Sequence, residues 1–326
     1  MKSFGLIFVL YQPTGDFLGN LLKARAACAN VVAVDNSPEE DVRLHEYLRR
    51  QGIQVIFNRN ESGLAGAYNK GAEVLLGQHC DLIFLLDQDS GIEAGFFDGM
   101  LQAAAALGTD TFLIGPKIHE VALNKCMPVI PPGKRFPTPV RIDDQTQGIF
   151  PALCIISSGS AISAAAYRML GPFRDDYFIE YVDIEYSLRA RSRGVPVYMN
   201  AAVVLRQMNG RIERRGKWFT TNHAAWRRYY IARNSVHCLR EHRSVCGLHW
   251  LSGLMVIREA VCVLLLDSQK LRKLTAIACG YLDGLFGRLG PFERRHPQIA
   301  AFCKGAGRKE TGSCASSAAM AAEGKS

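Results

Sequence analysis

Short apolar runs alternate with helically periodic stretches through the first half of the chain. Phe4–Tyr11, Val31–Val34, Gln54–Phe57, Asp81–Leu86 and Phe112–Ile114 read as strands. Between them, Phe17–Ala29, Glu40–Gln51, Leu64–Leu76 and Phe96–Ala106 carry helical spacing. Strands that stay apolar without alternating with polar residues are buried on both faces. That pattern predicts an α/β fold, a parallel sheet wrapped by helices. Residues 126–150 are rich in proline and glycine with little periodicity, and read as a loop or irregular hairpin lying over a site. A helix from Ala164, a turn at Gly171-Pro172-Phe173, a strand-to-helix segment over Tyr177–Arg193 and a strand over Val195–Met199 follow.

From Ala224 the pattern turns helical and basic. Ser244–Ile257 holds no charged residue, Arg258-Glu259 interrupts it and Ala260–Leu266 resumes it. A spanning helix needs about 20 uninterrupted apolar residues, so this segment predicts an interfacial or packed helix instead. Either it rests on a membrane surface, or Trp250, Leu254, Ile257 and Val261 pack onto the main domain as core. A weaker apolar segment runs from Leu274 to Phe286, and the Ala/Gly/Ser-rich residues 304–326 read as a disordered tail.

Charge sharpens this division. Residues 1–204 hold 18 Lys/Arg against 22 Asp/Glu, whereas residues 205–326 hold 21 against 8. The basic half is the part to meet an anionic partner, lipid or nucleic acid on charge alone. Its aromatics are not interleaved as a stacking platform and no nucleic-acid motif appears, so a non-catalytic nucleic-acid binder is the weaker alternative. The ten cysteines lack the spacing of a zinc or redox motif, which fits reduced thiols in a cytosolic compartment. Phe4–Tyr11 is too short, and too poor in flanking signals, for a secretory leader.

The candidate chemistry lies at the ends of the apolar runs. Asp87-Gln88-Asp89 ends the run Leu82–Leu86, at the carboxyl end of a strand, where open α/β sheets bind ligands. Two carboxylates with open positions suit Mg²⁺ or Mn²⁺ shared with a substrate diphosphate; a solvated strand end is the plain alternative. Asp35-Asn36-Ser37 ends the second strand, either as a nucleobase or ribose contact or as an ordinary turn. Gly63 to Gly71 is a glycine-containing entry to a helix, open to an anion or simply a tight loop. In Phe178–Arg189, acids sit between apolar residues; one of them can serve as a general base, or they are the acidic first turn of a helix. Arg227 to Asn234 is either a diphosphate clamp or a solvated basic face.

Taken in order over residues 4–234, these elements resemble the inverting family 2 glycosyltransferases of the GT-A type, rhamnosyltransferase group. Within that group the similarity is to enzymes that add the second rhamnose of a rhamnolipid, and it continues through Leu264–Leu271 and Asp283-Gly284-Leu285. The resemblance implies a GT-A (nucleotide-diphospho-sugar transferase) fold with a central, mostly parallel sheet and a basic helical C-terminal region. The implied boundaries are a catalytic domain at 1–234, divided into a nucleotide-sugar half (1–115) and an acceptor half (116–234), and a membrane-associated helical region at 235–303. The implied donor is dTDP-L-rhamnose, the acceptor mono-rhamnolipid and the cofactor Mg²⁺ or Mn²⁺. The inner face of the cell membrane and the first rhamnosyltransferase are implied as partners, with a cytoplasmic, peripheral location and no nucleic acid.

Carried over by position, Asp183 is the general base and Glu185 its acidic neighbour. Asp87 and Asp89 hold the metal. Asp35, Asn36, Gly63, Asn69, Gln88, Arg228 and Arg233 contact the nucleotide sugar, and Ser158 and Gly159 border the acceptor. One departure stands out. Related enzymes often place a metal-completing His where this chain has Gln207. His223 can substitute, the metal can lean on fewer protein ligands, or Arg206 and Arg211 can neutralise the leaving diphosphate. An O-antigen or capsular acceptor stays open beside the rhamnolipid.

Overall fold

The computed structural model describes residues 2–14, 17–133, 138–207, 213–215, 218–220, 222–246 and 251–304. Its first half is a strand–helix alternation: β1 (Phe4–Leu10), α1 (Phe17–Ala27), β2 (Asn30–Asp35), α2 (Val42–Arg50), β3 (Gln54–Phe57), α3 (Gly63–Gly77), β4 (Leu82–Asp87), α4 (Phe96–Ala106) and β5 (Leu113–Glu120). Then come β6 (Lys125–Cys126), β7 (Ile149–Pro151), β8 (Ala161–Ser163), α5 (Ala164–Leu170), α6 (Val182–Ser192) and β9 (Val197–Gln207). A small antiparallel hairpin, β10 (Glu213–Arg215) with β11 (Trp218–Thr220), precedes the helices α7 (Ala225–Glu241), α8 (Arg243–Cys246), α9 (Leu251–Leu266), α10 (Lys270–Leu285), α11 (Phe292–Arg295) and α12 (Pro297–Lys304).

The main sheet runs β3-β2-β1-β4-β8-β5-β9-β7, with β6 added beside β5. Pairing is parallel from β3 to β4 and between β5 and β9, and antiparallel at β8, β6 and β7. The sheet is therefore mixed, where the sequence pattern pointed to a mostly parallel one. Successive residues of each central strand face opposite layers. Ile7, Val9, Val32, Val34, Ile83 and Leu85 pack with Tyr68, Leu75, Tyr167 and Tyr186 on one side. Leu6, Phe8, Leu10, Val31, Ala33, Phe84 and Leu86 pack with Leu21, Leu48, Phe97 and Met100 on the other. Burial on both faces is why these strands read as continuous apolar runs.

Two strands are longer than the apolar pattern shows. Beyond Ile114, β5 continues through Gly115-Pro116 to Glu120, and between Pro116 and Lys117 its register against β9 jumps from Asn200 to Val204, so that residues 201–203 of β9 bulge from the ladder. The extension of β9 beyond Met199 through Asn200 and two alanines, poor strand formers, carries Gln207 to the rim of the sheet. The segment expected over 126–150 as a loop or irregular hairpin has, among its described residues, β6 against β5 and a bridge between Val129 and Val140.

The expected boundary at 234/235 falls inside α7. Helices α7 and α10 meet backbone to backbone: a Cβ on Gly280 would lie 2.3 Å from the Tyr229 carbonyl oxygen, and one on Gly284 2.5 Å from that of Arg233. On α9, Leu254 and Ile257 are exposed and Val261 half-buried, so they do not form the core packing considered above. Trp250, Arg211 and the tail residues 305–326 lie outside the described residues. Among the described residues, no helix is long and apolar enough to cross a membrane.

Candidate active site

The strand order reverses between β1 and β4, and the crevice outside their carboxyl ends is where open sheets bind ligands. A cleft of about 620 Å³ opens there. Val9 and Tyr11 line it from the end of β1 and just beyond, Asp87, Gln88 and Asp89 from the end of β4 and just beyond, Ser157 and Ser158 from the turn before β8, and Glu180 to Ile184 from the start of α6. Met127, Gln207, His223 and Arg227 complete its wall.

Asp87 ends β4 opposite Val9 and accepts a short hydrogen bond from the Ser158 hydroxyl. Burial raises its carboxyl above the usual range; the Ser158 bond opposes this, and the nearby Asp89 charge adds to the rise. Asp89 is exposed on the cleft. The Gln88 side-chain carbonyl accepts from the Tyr11 backbone N–H at 2.8 Å and ties the two strand ends together.

Asp183 lies across the cleft in the first turn of α6. The Ile184 N–H donates to one carboxylate oxygen at 2.8 Å and the Ser157 N–H to the other at 3.1 Å. Its edge is open to the cleft while protein surrounds the rest, and this burial pushes the carboxyl up to about 6 against those two donors. The approach to α6 is wound through left-handed residues, Phe178 (φ 67°), Glu180 (φ 62°) and Tyr181 (φ 62°). Non-glycine residues hold such a conformation only when neighbours impose it. Here the Asn234 amide donates to the carbonyls of Tyr177, Ile179 and Glu180 at 3.0, 2.7 and 2.8 Å. Arg233, fully buried, donates to the carbonyls of Asp176, Tyr177 and Gly290. Gly63 (φ 59°) sits against the same loop, where a Cβ would be 2.2 Å from the Phe178 carbonyl oxygen.

Several residues expected at the ligand are engaged elsewhere. Glu185 is buried, in a two-point ion pair with Arg189 at 2.9 and 3.1 Å and 3.3 Å from His242, facing away from the cleft. Asp35 is buried, one oxygen 2.7 Å from His45 Nε2 and the other accepting from the Ser37 N–H at 2.9 Å. Asn36 donates to the Gly63 carbonyl and accepts from Asn58, joining β2 to the entry of α3. Asn69 bonds the Phe173 backbone in both directions, with Tyr167 and Asp175 alongside. Arg228 is buried against Glu259 and Asp267, and Arg233 is the loop anchor above; neither is a solvated face or a phosphate clamp here. Gly159 (φ 73°) is buried, where a Cβ would crowd Phe96 and Pro116. Of the expected set, the structure brings Asp87, Gln88, Asp89, Ser158, Asp183 and His223 to one cleft. Sequence reasoning did not single out Tyr11, Met127 or Glu180. Tyr11 had a signal, being the last residue of the apolar run that forms β1, just past the strand's end at the same sheet edge as Asp87.

The fit of a divalent cation rests on oxygen donors. The Gln207 side-chain oxygen is buried with no hydrogen-bond partner, while its nitrogen is 3.4 Å from the Ser158 hydroxyl that bonds Asp87. An orphaned carbonyl beside two carboxylates suits a hard cation. His223 is a poorer ligand: burial, then the charges of Arg227, Arg228 and Lys273, hold its imidazole down to about 3, so a neutral ring sits in positive surroundings that disfavour a dication.

A mixed α/β sheet with acids at the β1/β4 crevice, faced by a half-buried acid at a helix start, is the layout of a GT-A glycosyltransferase. Comparison with known proteins bears out the fold. Residues 17–165 match the family model described as Glycosyl transferase family 2, and the chain is a glycosyltransferase. It is similar to the dTDP-rhamnosyl transferase RfbF of Shigella flexneri, 24% identical over 292 residues covering 87% of this chain and 96% of that one. It is also similar to the low-salt glycan biosynthesis hexosyltransferase Agl10 of Haloferax volcanii, 22% identical over 306 residues covering 90% and 94%. The crystal structure of GalNAc-T7 with UDP, GalNAc and Mn²⁺ shares the fold, with a TM-score of 0.55 at 12% identity, over 79% of this chain and 55% of that one.

Proposed function

We propose that this chain is an inverting rhamnosyltransferase that moves L-rhamnose from dTDP-L-rhamnose to a hydroxyl of mono-rhamnolipid. The observation that carries the mechanism is Asp183, a half-buried carboxylate fixed by two backbone donors and facing the Asp87–Asp89 strand end across one cleft. Asp183 takes the proton of the acceptor hydroxyl as that oxygen bonds to the anomeric carbon of the donor. The bond from that carbon to the diphosphate oxygen breaks, dTDP leaves, and displacement from the opposite face inverts the configuration. Asp87, Asp89 and the Gln207 carbonyl would hold Mg²⁺ or Mn²⁺. When bound, the ion neutralises charge on the diphosphate. Tyr11 and Gln88 border the donor, Ser158 positions Asp87, and Asn234 and Arg233 hold the loop that presents Glu180 and Asp183. Similarity to a dTDP-rhamnosyl transferase over nearly its whole length supports the choice of donor.

The exposed apolar stripe on α9, Leu254, Ile257, Leu264 and Leu265, with Leu271 exposed on α10 and Phe286 exposed just past its end, supports a lipid-borne acceptor met at an anionic membrane surface. Wild-type protein is expected to float with vesicles containing anionic lipid and to be released by high salt. Ile257→Glu with Leu264→Glu should lose that flotation while keeping donor binding. A wild-type protein that stays wholly in the soluble fraction would remove the membrane contact.

The pH profile follows from the direction of the Asp183 shift. The base must be ionised, so kcat/KM rises with pH through about 6 and falls about tenfold per unit below it. A limb centred near the ordinary aspartate value would mean that burial does not govern the base.

The deciding assay is turnover with dTDP-L-rhamnose, Mg²⁺ and mono-rhamnolipid, read by mass spectrometry. Appearance of the di-rhamnosyl product supports both donor and acceptor. The name of the Haloferax relative, a low-salt glycan biosynthesis hexosyltransferase, favours a second reading, a glycan intermediate as acceptor. Donor turnover on such a glycan but not on mono-rhamnolipid would select it.

A further inference from the structure

A second group of metal-binding side chains lies outside the transfer machinery. His119 on β5 and Cys126 on β6 are directly opposite one another in the antiparallel ladder, so their side chains emerge together. The turn at 143–146 brings Asp144 to the same point. It is held there by Lys117, a fully buried lysine two residues before His119 on the same face of β5, which donates to the carbonyls of Asp143, Asp144 and Thr146 at 3.0 Å each. His119 Nδ1 is 3.2 Å from Asp144 Oδ1 and 3.8 Å from Cys126 Sγ, and that sulfur is 3.4 Å from the same Asp144 oxygen.

These separations can be set against a metal centre. A tetrahedral Zn²⁺ with ordinary bond lengths places its donors about 3.3 Å apart for N and O, about 3.5 Å for S and O, and about 3.6 Å for S and N. All three observed distances fall within about 0.2 Å of those values. A thiolate and a carboxylate supply two negative charges for a dication, and a sulfur ligand selects zinc-like metals over Mg²⁺ or Ca²⁺.

We propose that His119, Cys126 and Asp144 form a Zn²⁺ site, with water in the fourth position on the exposed Asp144 side. On binding, the Cys126 thiol gives its proton to solvent and sulfur, imidazole nitrogen and carboxylate oxygen close on the ion. The site clamps both feet of the irregular hairpin to β5. Met127, adjacent to Cys126, lines the catalytic cleft, so the ion fixes one wall of that cleft from outside. The proposal does not depend on which sugar is transferred.

Cobalt(II) is the probe, because a thiolate ligand gives it an intense charge-transfer band in the near ultraviolet that oxygen and nitrogen ligands do not. Titration of the full-length, metal-stripped protein is expected to produce this band, to saturate at about one equivalent, and to lose it when Zn²⁺ is added. Cys126→Ser should abolish it. Asp144→Ala, a change in an exposed turn that leaves the fold intact, should weaken Co²⁺ binding about tenfold or more. Asp89→Asn should leave the band unchanged, separating this site from the strand-end acids. Cys279→Ser should also leave it, because the Asp283 carboxylate near Cys279 is already bonded by Tyr229 and His296 at 2.7 Å each. Absence of the band in wild-type protein, or its survival in Cys126→Ser, would overturn the site.

Discussion

Asp183→Asn is expected to lower turnover about 10²–10⁴-fold, the usual contribution of a positioned base, while donor affinity stays within about twofold. The amide fills the same volume and keeps one of the two backbone N–H bonds, so the start of α6 should hold its place with the loss of a single hydrogen bond. What it cannot do is take a proton from the acceptor hydroxyl. The clean measurement pairs steady-state turnover with calorimetric binding of dTDP-L-rhamnose. Near-normal turnover would move the base to another group on the cleft, of which Glu180 is the nearest carboxylate in sequence. The same variant should lose the acidic limb of the pH profile, since the group that titrates there is gone.

The largest stability effect is expected at Asp267→Asn. Asp267 is buried and lies 3.0 Å from Arg228 and 2.9 Å from Lys273, both buried as well. Taking away the central carboxylate strands the buried Lys273 cation beside Arg228, which keeps Glu259 as its remaining acidic partner, and breaking a buried pair in this way costs about 3–5 kcal/mol. The network joins α7 to the end of α9 and the start of α10, so unfolding of the helical region should shift to lower denaturant. Replacing Lys273 by Met as well should restore part of the loss by removing one stranded charge. An unchanged midpoint in Asp267→Asn would show that these three helices are held by their apolar and glycine contacts alone.

The strand–helix alternation of residues 4–106 was legible because each element has one simple period, and burial on both sheet faces makes its strands unmistakable as apolar runs. The short strand Ala161–Ser163 was not, since its three residues carry no period and it becomes a strand only by filling the gap between β4 and β5. The acids at Asp87, Asp89 and Asp183 stood out because charge at the edge of an apolar run is conspicuous in one dimension. Arg228, Arg233, Asn69 and Glu185 were harder to place. Each is a polar residue in a helix, and whether it meets a ligand or a carbonyl is decided by partners far away in sequence. Asn69 bonds Phe173 and Arg233 bonds Gly290 across distances that no local pattern encodes. The orphaned Gln207 oxygen became visible only when the extension of β9 placed it beside Ser158.

The glycine contact between α7 and α10 bears on how such enzymes can be recombined. Gly280 and Gly284 admit no side chain, so α10 is keyed to this particular α7, and α7 in turn holds the loop before Asp183 through Arg233 and Asn234. A chimera that exchanges C-terminal helices with another transferase therefore has no neutral seam at residue 234. The exchange must begin ahead of α7, near residue 224, and must bring a matching 177–181 loop with it. The C-terminal helices of this chain are inherited together with the geometry of the loop before Asp183, not as a detachable cassette.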